Sequence, residues 1–221
     1  MEFFLFSLFS KTFSVSDPIA LIEAYCFQSD FYANYDLITR NGKDRKIEDV
    51  NKIGARIEKK TLAKCEKVIT ENEKILCIFK EYDLYGFLNL GEERRNVYIK
   101  DLNDKVINKL LRIKGIGLAK STKILHTLCP KTIPMIDNAL QKEYKEYCKG
   151  INRQWIEKQS DQILIDYYNN LEKGDNWQNL TWISKKISNN VVGLTKVRIF
   201  DILWWSYLKS KEFNINWSTI K

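Results

Sequence analysis

Two neighbouring segments of this sequence carry residue types suited to chemistry on a phosphate-bearing molecule. The first is Gly115-Ile116-Gly117, which separates two apolar stretches and is flanked by lysines. A tight turn between helices requires backbone angles that a Cβ atom disfavours, and the first amides of the second helix are left unpaired. Such amides bind phosphate oxygens. The second segment ends at Asp137, whose carboxylate can stabilise a developing positive charge or orient a water molecule.

The positive charge of the chain is concentrated around this turn. The chain has 36 Lys and Arg residues against 28 Asp and Glu, which gives a net charge of +8. A Lys-rich composition with a solvated basic surface would also give such a value. The clustering of charge at a glycine turn instead favours binding to a polyanion. The window 105–136 contains no acidic residue and carries +7, from Lys105, Lys109, Arg112, Lys114, Lys120, Lys123 and Lys131.

The turn also predicts which residues would contact a phosphate backbone. Lysines beside unpaired amides add an attraction that weakens with salt, and such contacts fix position without reading sequence. A glycine turn can join any two packed helices, so a purely structural hairpin is the alternative. The apolar frame, including Leu110 and Leu125, and the absence of acidic residues favour binding. The predicted contacts are Lys114, Gly115, Gly117, Leu118, Ala119, Lys120 and Lys123.

The elements that must position these residues are predicted to be helices. Apolar residues recur at helical spacing along most of the chain, and no sustained alternation indicates a large sheet, so the predicted fold class is all-α. Asp17-Pro18 is typical of a helix start and predicts a helix to about Gln28. Further helices are predicted at about 101–112, 118–128, 138–148, 153–171, 178–190 and 195–208.

Other stretches give expectations of a different kind. Isoleucine and valine spacing over about 46–71 predicts one long helix or two in tandem, and 75–87 is apolar but ambiguous. Residues 92–95 predict a charged connector, and Asn41-Gly42 predicts a turn. The apolar start, residues 1–13, is too short to span a bilayer. It predicts a core-packing helix or strand, with a membrane anchor as the alternative.

Cysteine and histidine usage narrows the range of chemistry further. The five cysteines are odd in number and widely spaced, without the C-x2-C spacing of a metal site. This usage predicts reduced, buried thiols in a cytoplasmic protein. His126 is the only histidine in the chain, which removes most histidine-based metal sites and Ser-His triads.

The amino-acid sequence of the turn and of the acidic segment resembles that of the helix-hairpin-helix, Gly/Pro-rich loop, Asp superfamily of DNA glycosylases. The chain is also similar in length to the endonuclease III-like members of that superfamily. In that family a hairpin of the form L-P-G-V-G-x-x-x-A precedes a loop that ends in P-x-x-D. Here the hairpin is formed by residues 113–121, IKGIGLAKS, and the loop ends in Pro134-Met135-Ile136-Asp137. The resemblance covers about 30 of the 221 residues.

This resemblance implies a fold of two helical lobes with a cleft between them. One lobe would span about 20–135 and end in the helix-hairpin-helix at 107–128, and the other would combine about 1–19 with 136–221. Members flip a damaged or modified base out of the duplex and hydrolyse its N-glycosidic bond. By resemblance, Asp137 would be the catalytic carboxylate that stabilises an oxocarbenium ion. A structural role for Asp137 as a helix cap is the alternative, and the two roles are compatible.

Departures from the family pattern narrow the expected activity. Members that also cleave the strand carry a Schiff-base lysine two positions past the second glycine, where this chain has Ala119. Lys120 follows, but one residue on a helix is a rotation of about 100°. Base excision without lyase activity is therefore expected. No cysteine follows Cys148, so no iron–sulfur cluster is expected, and Lys114 replaces the usual proline. No other cofactor is predicted, with a monovalent cation bound at the hairpin as the alternative.

The resemblance also implies partners and one further contact residue. Members often use a glutamine to fill the hole left by the flipped base, and Gln28 is the candidate here. The expected partner is double-stranded DNA, with no membrane and no obligate protein partner, in the cytoplasm or on the nucleoid of a prokaryote. Two alternatives remain: a non-catalytic DNA-binding protein on the same scaffold, and a helical interaction protein with no nucleic-acid role.

Overall fold

The computed structural model describes residues 3–37, 45–148, 157–187 and 193–213. The protein is mostly helical, with 72% helix and 5% strand among these residues. The chain divides into two compact units, a terminal unit of Met1–Asp44 with Asn169–Lys221 and a central unit of Arg45–Tyr168. The lobe boundaries expected from the sequence, near residues 20 and 135, stay a prediction. The predicted turn at Asn41-Gly42 lies outside the described residues.

The described elements follow one another closely along the chain. In order they are β1 (Phe4–Leu8), β2 (Lys11–Val15), α1 (Pro18–Gln28), α2 (Asp30–Asn34), a 3-10 helix (Ile47–Ile53), α3 (Lys59–Glu71), α4 (Glu73–Glu81), α5 (Leu84–Leu88), α6 (Glu92–Leu102), a π-helical segment (Asn103–Ile107), α7 (Asn108–Leu111), α8 (Leu118–Leu128), α9 (Asn138–Tyr147), α10 (Ser160–Glu172), α11 (Asn176–Ile187) and α12 (Lys196–Phe213).

Residues close to each helix start explain the starts that the sequence predicts correctly. Asp17 caps α1, because its Oδ1 atom accepts a hydrogen bond from the Ala20 amide at 2.9 Å, and Pro18 occupies the first helical position. The prediction of 118–128 is confirmed by α8, and that of 138–148 by α9 to within one residue. Because these signals lie within a few residues of each terminus, they can be identified without knowledge of the fold.

The sequence left two forms open for the stretch 46–71, and a second prediction about the central unit is wrong. The stretch holds two helical segments in tandem, the 3-10 helix and α3, because the 3-10 helix ends at Ile53, Gly54 follows with a φ of +76°, and an extended link precedes α3. Residues 92–95 belong to α6 rather than to a connector. Glu92 and Glu93 lie in its first turn, where negative charge suits the helix dipole. Arg95 is fully buried and donates from Nη1 to the Leu88 carbonyl oxygen at 3.1 Å.

The start of the chain forms a β-hairpin within the terminal unit. The two strands pair antiparallel with Phe6 opposite Phe13, and both side chains are buried. Phe13 stacks on Tyr207 of α12 with ring centroids 4.7 Å apart. Asn176 of α11 accepts from the Ser7 amide at 2.8 Å and donates to the Ser7 oxygen at 2.7 Å. The apolar residues at 1–13 predicted a core-packing helix or strand. In the described residues 3–13 the structure confirms core packing, and the elements are strands.

The central unit is built around α8. Ile124 and Leu125 of α8 are fully buried, as are Ile107 and Leu110 on the segment that precedes the turn. The helix contacts the 3-10 helix, the π-helical segment and α7. Burial of such side chains contributes about 1.5–3 kcal/mol each. This packing fixes both ends of α8, and therefore the turn before it and the loop after it.

Candidate functional site

The turn between α7 and α8 contains one glycine whose backbone requires that residue type. The Ile113 amide donates to Leu110 and the Ile116 amide to Ile113, each at 3.0 Å, so the chain reverses in two short loops. Gly115 has a φ of +85°, in the left-handed region that a side chain disfavours. Gly117 has φ −106° and ψ −178°, an extended conformation that any residue adopts. Of the two glycines, Gly115 therefore sets the path of the turn.

The N-terminus of α8 presents three amides that have no partner within the helix. The first hydrogen bond of the helix runs from the Ser121 amide to the Gly117 oxygen at 3.0 Å. The amides of Leu118, Ala119 and Lys120 precede it, and the N-cap residue has no side chain to satisfy them. The Leu118 side chain packs inward at 1% exposure. The geometry of this terminus suits an anion such as a phosphate oxygen.

The basic window 105–136 includes the start of α8, but several of its lysines are already bound to other groups of the protein. Lys105 pairs with Asp101 at 2.9 Å, and Lys109 donates to Asn72 at 3.4 Å. Lys123, predicted as a phosphate contact, is half-buried and donates from Nζ to the Ile53 oxygen at 2.9 Å. Among the described residues, no acidic side chain pairs with three cations of the turn 112–117 and the first turn of α8, which are Arg112, Lys114 and Lys120.

A further exposed cation lies in the loop that the Lys123 contact holds against α8. Arg56, two residues past Gly54, has a φ of +52°, which is unusual for a residue with a side chain. Asn51 closes this loop by accepting from the Ile57 amide at 2.7 Å and donating to the Ile57 oxygen at 2.8 Å. Strained backbone of this kind persists where the surrounding structure imposes it. Residue types do not predict this conformation, since arginine does not favour the left-handed region.

Asp137 is the N-cap of α9. Its Oδ1 atom accepts a hydrogen bond from the Leu140 amide at 2.8 Å, and its side chain is half-buried. Within the described part of the chain, Oδ2 accepts no hydrogen bond. Asp137 therefore caps α9, a role that is compatible with catalysis, and one carboxylate oxygen remains available to other groups.

The residue before Asp137 is held by two side chains that the sequence did not single out. The Ile136 amide donates to Thr122 Oγ1 at 3.0 Å, and the Ile136 oxygen accepts from Gln141 Nε2 at 3.0 Å. The Thr122 hydroxyl itself donates to the Leu118 oxygen at 3.0 Å. A single hydroxyl thus connects the first turn of α8 to the segment that carries Asp137. No pattern of residue types predicts this contact, because it depends on the path of the loop between them.

The remaining predicted residues have simpler settings. Ala119 is half-buried in the first turn of α8, and Ser121 is fully buried, which agrees with the need for a small residue there. Gln28 is exposed as the last residue of α1 and belongs to the terminal unit. Phe27 beside it has 82% of its side chain exposed, whereas Tyr25 is buried.

A cavity of about 370 Å³ opens elsewhere in the central unit, and Asp137 does not line it. It lies between the 3-10 helix and α3, with Ile47, Ile57 and Leu62 among its lining residues. Within the described ranges no three His, Cys, Asp or Glu side chains are grouped to hold a metal ion. In the same ranges, no helix combines the length and the apolar character that a membrane span requires.

Comparisons with known proteins give no family assignment: no family model, no curated protein and no solved structure matches the chain.

Proposed function

We propose that this protein binds the backbone of double-stranded DNA at the turn 112–117 and the start of α8. We further propose that it is a monofunctional DNA glycosylase with Asp137 as its catalytic carboxylate. The proposal extends the resemblance to the helix-hairpin-helix glycosylases. It is carried by one observation: the uncapped start of α8 and the loop that ends at Asp137 are joined through the hydroxyl of Thr122.

Phosphate binding follows from the charges at the turn. The amides of residues 118–120 offer short-range donors. Arg112, Lys114 and Lys120, with which no acidic side chain of the described residues pairs, add positive charge in the turn and the first turn of α8. Each lysine that neutralises a phosphate releases counterions, so affinity should fall steeply as salt rises. Lys123 contributes less than its sequence position suggests, because its amine is bound to the Ile53 oxygen.

Base excision would depend on the free side of the Asp137 carboxylate. Hydrolysis of an N-glycosidic bond develops positive charge on the sugar, and a nearby carboxylate stabilises that charge. Oδ1 is fixed by the Leu140 amide, which leaves Oδ2 to face the sugar or orient water. Ala119 has no amine, so the product would be an abasic site in an intact strand.

The experiment uses the full chain and duplexes that carry diverse damaged or modified bases, followed by alkali to cleave any abasic sites. Asp137→Asn should abolish base release while retaining DNA binding, because asparagine also caps helices. Asp83→Asn is the matched control, since Asp83 caps α5 in the same way and accepts from the Gly86 amide at 2.8 Å. The absence of base release from every duplex by the wild-type protein would refute the glycosylase proposal.

A non-catalytic DNA-binding protein on the same scaffold is the second candidate, in which Asp137 serves only as the cap that accepts from the Leu140 amide. It predicts salt-dependent DNA binding that Asp137→Asn leaves unchanged, with no base released from any duplex. Neutralising Lys114 and Lys120 would weaken binding under both proposals. Binding that is insensitive to both lysines and to salt would instead favour an interaction protein with no nucleic-acid role.

A further inference from the structure

The peptide groups around Ile136 are held by side chains rather than by regular secondary structure. Ile136 is fully buried, and its amide and its oxygen bond to Thr122 and Gln141 respectively. Thr122 is fully buried, and 7% of Gln141 is exposed. A buried amide that loses its acceptor retains the full cost of its desolvation. The position of Ile136, and of the Asp137 that follows, therefore depends on these two side chains.

Thr122 has a second bond that makes it different from Gln141. Its hydroxyl donates to the Leu118 oxygen at 3.0 Å while it accepts from Ile136. Leu118 is the first residue of α8, and its amide is one of the three that have no partner within the helix. The hydroxyl is thus bonded on one side to the carbonyl of the first residue of α8 and on the other to the residue next to Asp137. Only a side chain that both donates and accepts at this position can make both bonds.

We propose that Thr122 is a positioning residue that keeps the Asp137 carboxylate at a fixed distance from the phosphate bound at the start of α8. This inference rests on the proposed glycosylase function. A phosphate held by the turn defines where the adjoining sugar lies, and the Thr122 link then defines where the carboxylate meets that sugar. Since a displacement of about 1 Å in a reacting group can lower a rate a hundredfold, this link would affect catalysis more than binding.

The test compares three variants of the full-length protein. Thr122→Val keeps the shape of the side chain but removes the hydroxyl, and Thr122→Ser keeps the hydroxyl. The control is Thr132→Val, which removes another fully buried hydroxyl from the loop before Asp137, one that donates to the Phe79 oxygen at 2.8 Å. For each variant, we would measure the single-turnover rate of base release, the Kd for DNA and the hydrogen exchange rate of the Ile136 amide.

Thr122→Val should lower the rate about tenfold to a hundredfold with little change in Kd, and should speed exchange at Ile136. Thr122→Ser should restore both values, and Thr132→Val should leave both near those of the wild type. Equal losses in Thr122→Val and Thr132→Val would overturn the proposal, as would an unchanged rate and exchange in Thr122→Val. If the wild type releases no base, the glycosylase proposal fails, and exchange at Ile136 still decides whether Thr122 holds this segment.

Discussion

Lys123 donates a hydrogen bond from its Nζ atom to the backbone oxygen of Ile53, 70 positions earlier in the chain, at a distance of 2.9 Å. Ile53 is the last residue of the 3-10 helix, where a carbonyl oxygen lacks a partner within the helix and a cation is favourable. The bond holds the loop that contains Gly54 and Arg56 against α8. A lysine predicted from sequence to contact DNA therefore has a structural role in the central unit.

Replacing Lys123 should destabilise the protein. Lys123→Met keeps most of the aliphatic stem but removes the charged donor, and a hydrogen bond from a charged group contributes about 1.5–3 kcal/mol. Because the side chain is half-buried, we expect a loss of about 1–2 kcal/mol in the free energy of unfolding. Urea denaturation measures it. Lys114→Met is the control and should change stability by less than about 0.5 kcal/mol, since Lys114 is exposed.

The salt dependence of DNA binding should respond more to the loss of Lys114 than to the loss of Lys123, the reverse of their effects on stability. Neutralising Lys114 or Lys120 should reduce the slope of log K against log salt by about 0.9 each, one phosphate contact per lysine. Lys123→Met should change this slope less, because its amine is bound to Ile53. Fluorescence anisotropy over a salt series measures the slopes. Equal slopes for all three variants and the wild type would contradict a phosphate site at this turn.

The two glycines of the turn should respond differently to alanine. Gly115→Ala places a side chain at φ +85°, where no atom lies within 4 Å of the added Cβ, so the cost comes from the backbone alone. We expect a loss of about 1–2 kcal/mol in stability. Gly117→Ala meets no such backbone penalty, because its conformation is extended. It should leave the melting temperature nearly unchanged but weaken DNA binding, where a methyl group would block close approach of the phosphate. Calorimetry and anisotropy measure the two effects.

Local signals account for the parts of the fold that could be predicted. The start of α1 at Asp17-Pro18 and the limits of α8 depend on residues adjacent in sequence. The spacing over 46–71 does not decide between one helix and two in tandem, because Ile47, Val50 and Ile53 are three apart. A spacing of three fits the 3-10 helix as well as it fits one face of an α-helix.

The candidate site also contains features that could be predicted from the sequence and contacts that could not. The turn and the cap at Asp137 were predicted because both are set by nearby residues. The bond between Thr122 and Ile136, and that between Lys123 and Ile53, join side chains to backbone atoms in other segments. Residue types do not indicate such contacts, because the partner is an amide or a carbonyl that every residue carries.

The buried ion pair of Asp36 with Arg198 should be a large contributor to the stability of the terminal unit. Arg198 Nε lies 3.0 Å from Asp36 Oδ1, and Nη2 donates to Asp36 Oδ2 at 3.2 Å and to the Tyr25 hydroxyl at 2.7 Å. Burial alone would lower the pKa of Arg198, but Asp36 and Tyr25 outweigh it and raise the pKa. Arg198→Met would leave the Asp36 carboxylate buried without its cation.

We expect Arg198→Met to lower the free energy of unfolding by about 3–5 kcal/mol. The control is the exposed pair of Lys67 with Glu71, 3.9 Å apart, where Lys67→Met should cost less than about 1 kcal/mol. Urea denaturation of both variants makes the comparison. If both variants lowered the free energy of unfolding by less than about 1 kcal/mol, the ion pair of Asp36 with Arg198 would contribute no more to stability than an exposed pair does.

Two buried thiols should make the protein less stable at alkaline pH. Burial raises the pKa of Cys129 to about 12, and burial with the nearby Asp36 raises that of Cys26 to about 12, from an ordinary value of 9.0. Cys129 is 1% exposed, and its thiol donates to the Leu76 oxygen at 3.8 Å. Between pH 9 and 12 the unfolded chain releases these protons while the folded chain retains them.

Ionisation of these thiols should therefore leave the free energy of unfolding unchanged below pH 9 and lower it as pH rises towards 12. Each thiol adds at most about 1.4 kcal/mol per pH unit to this slope. Replacing both thiols, as in Cys26→Ala with Cys129→Ala, should make the slope between pH 9 and pH 11 shallower, although the cavities left by the side chains lower stability at every pH. Urea denaturation at fixed pH values measures the slopes. An identical slope in the wild type and in the double variant would mean that the folded protein does not keep these thiols protonated.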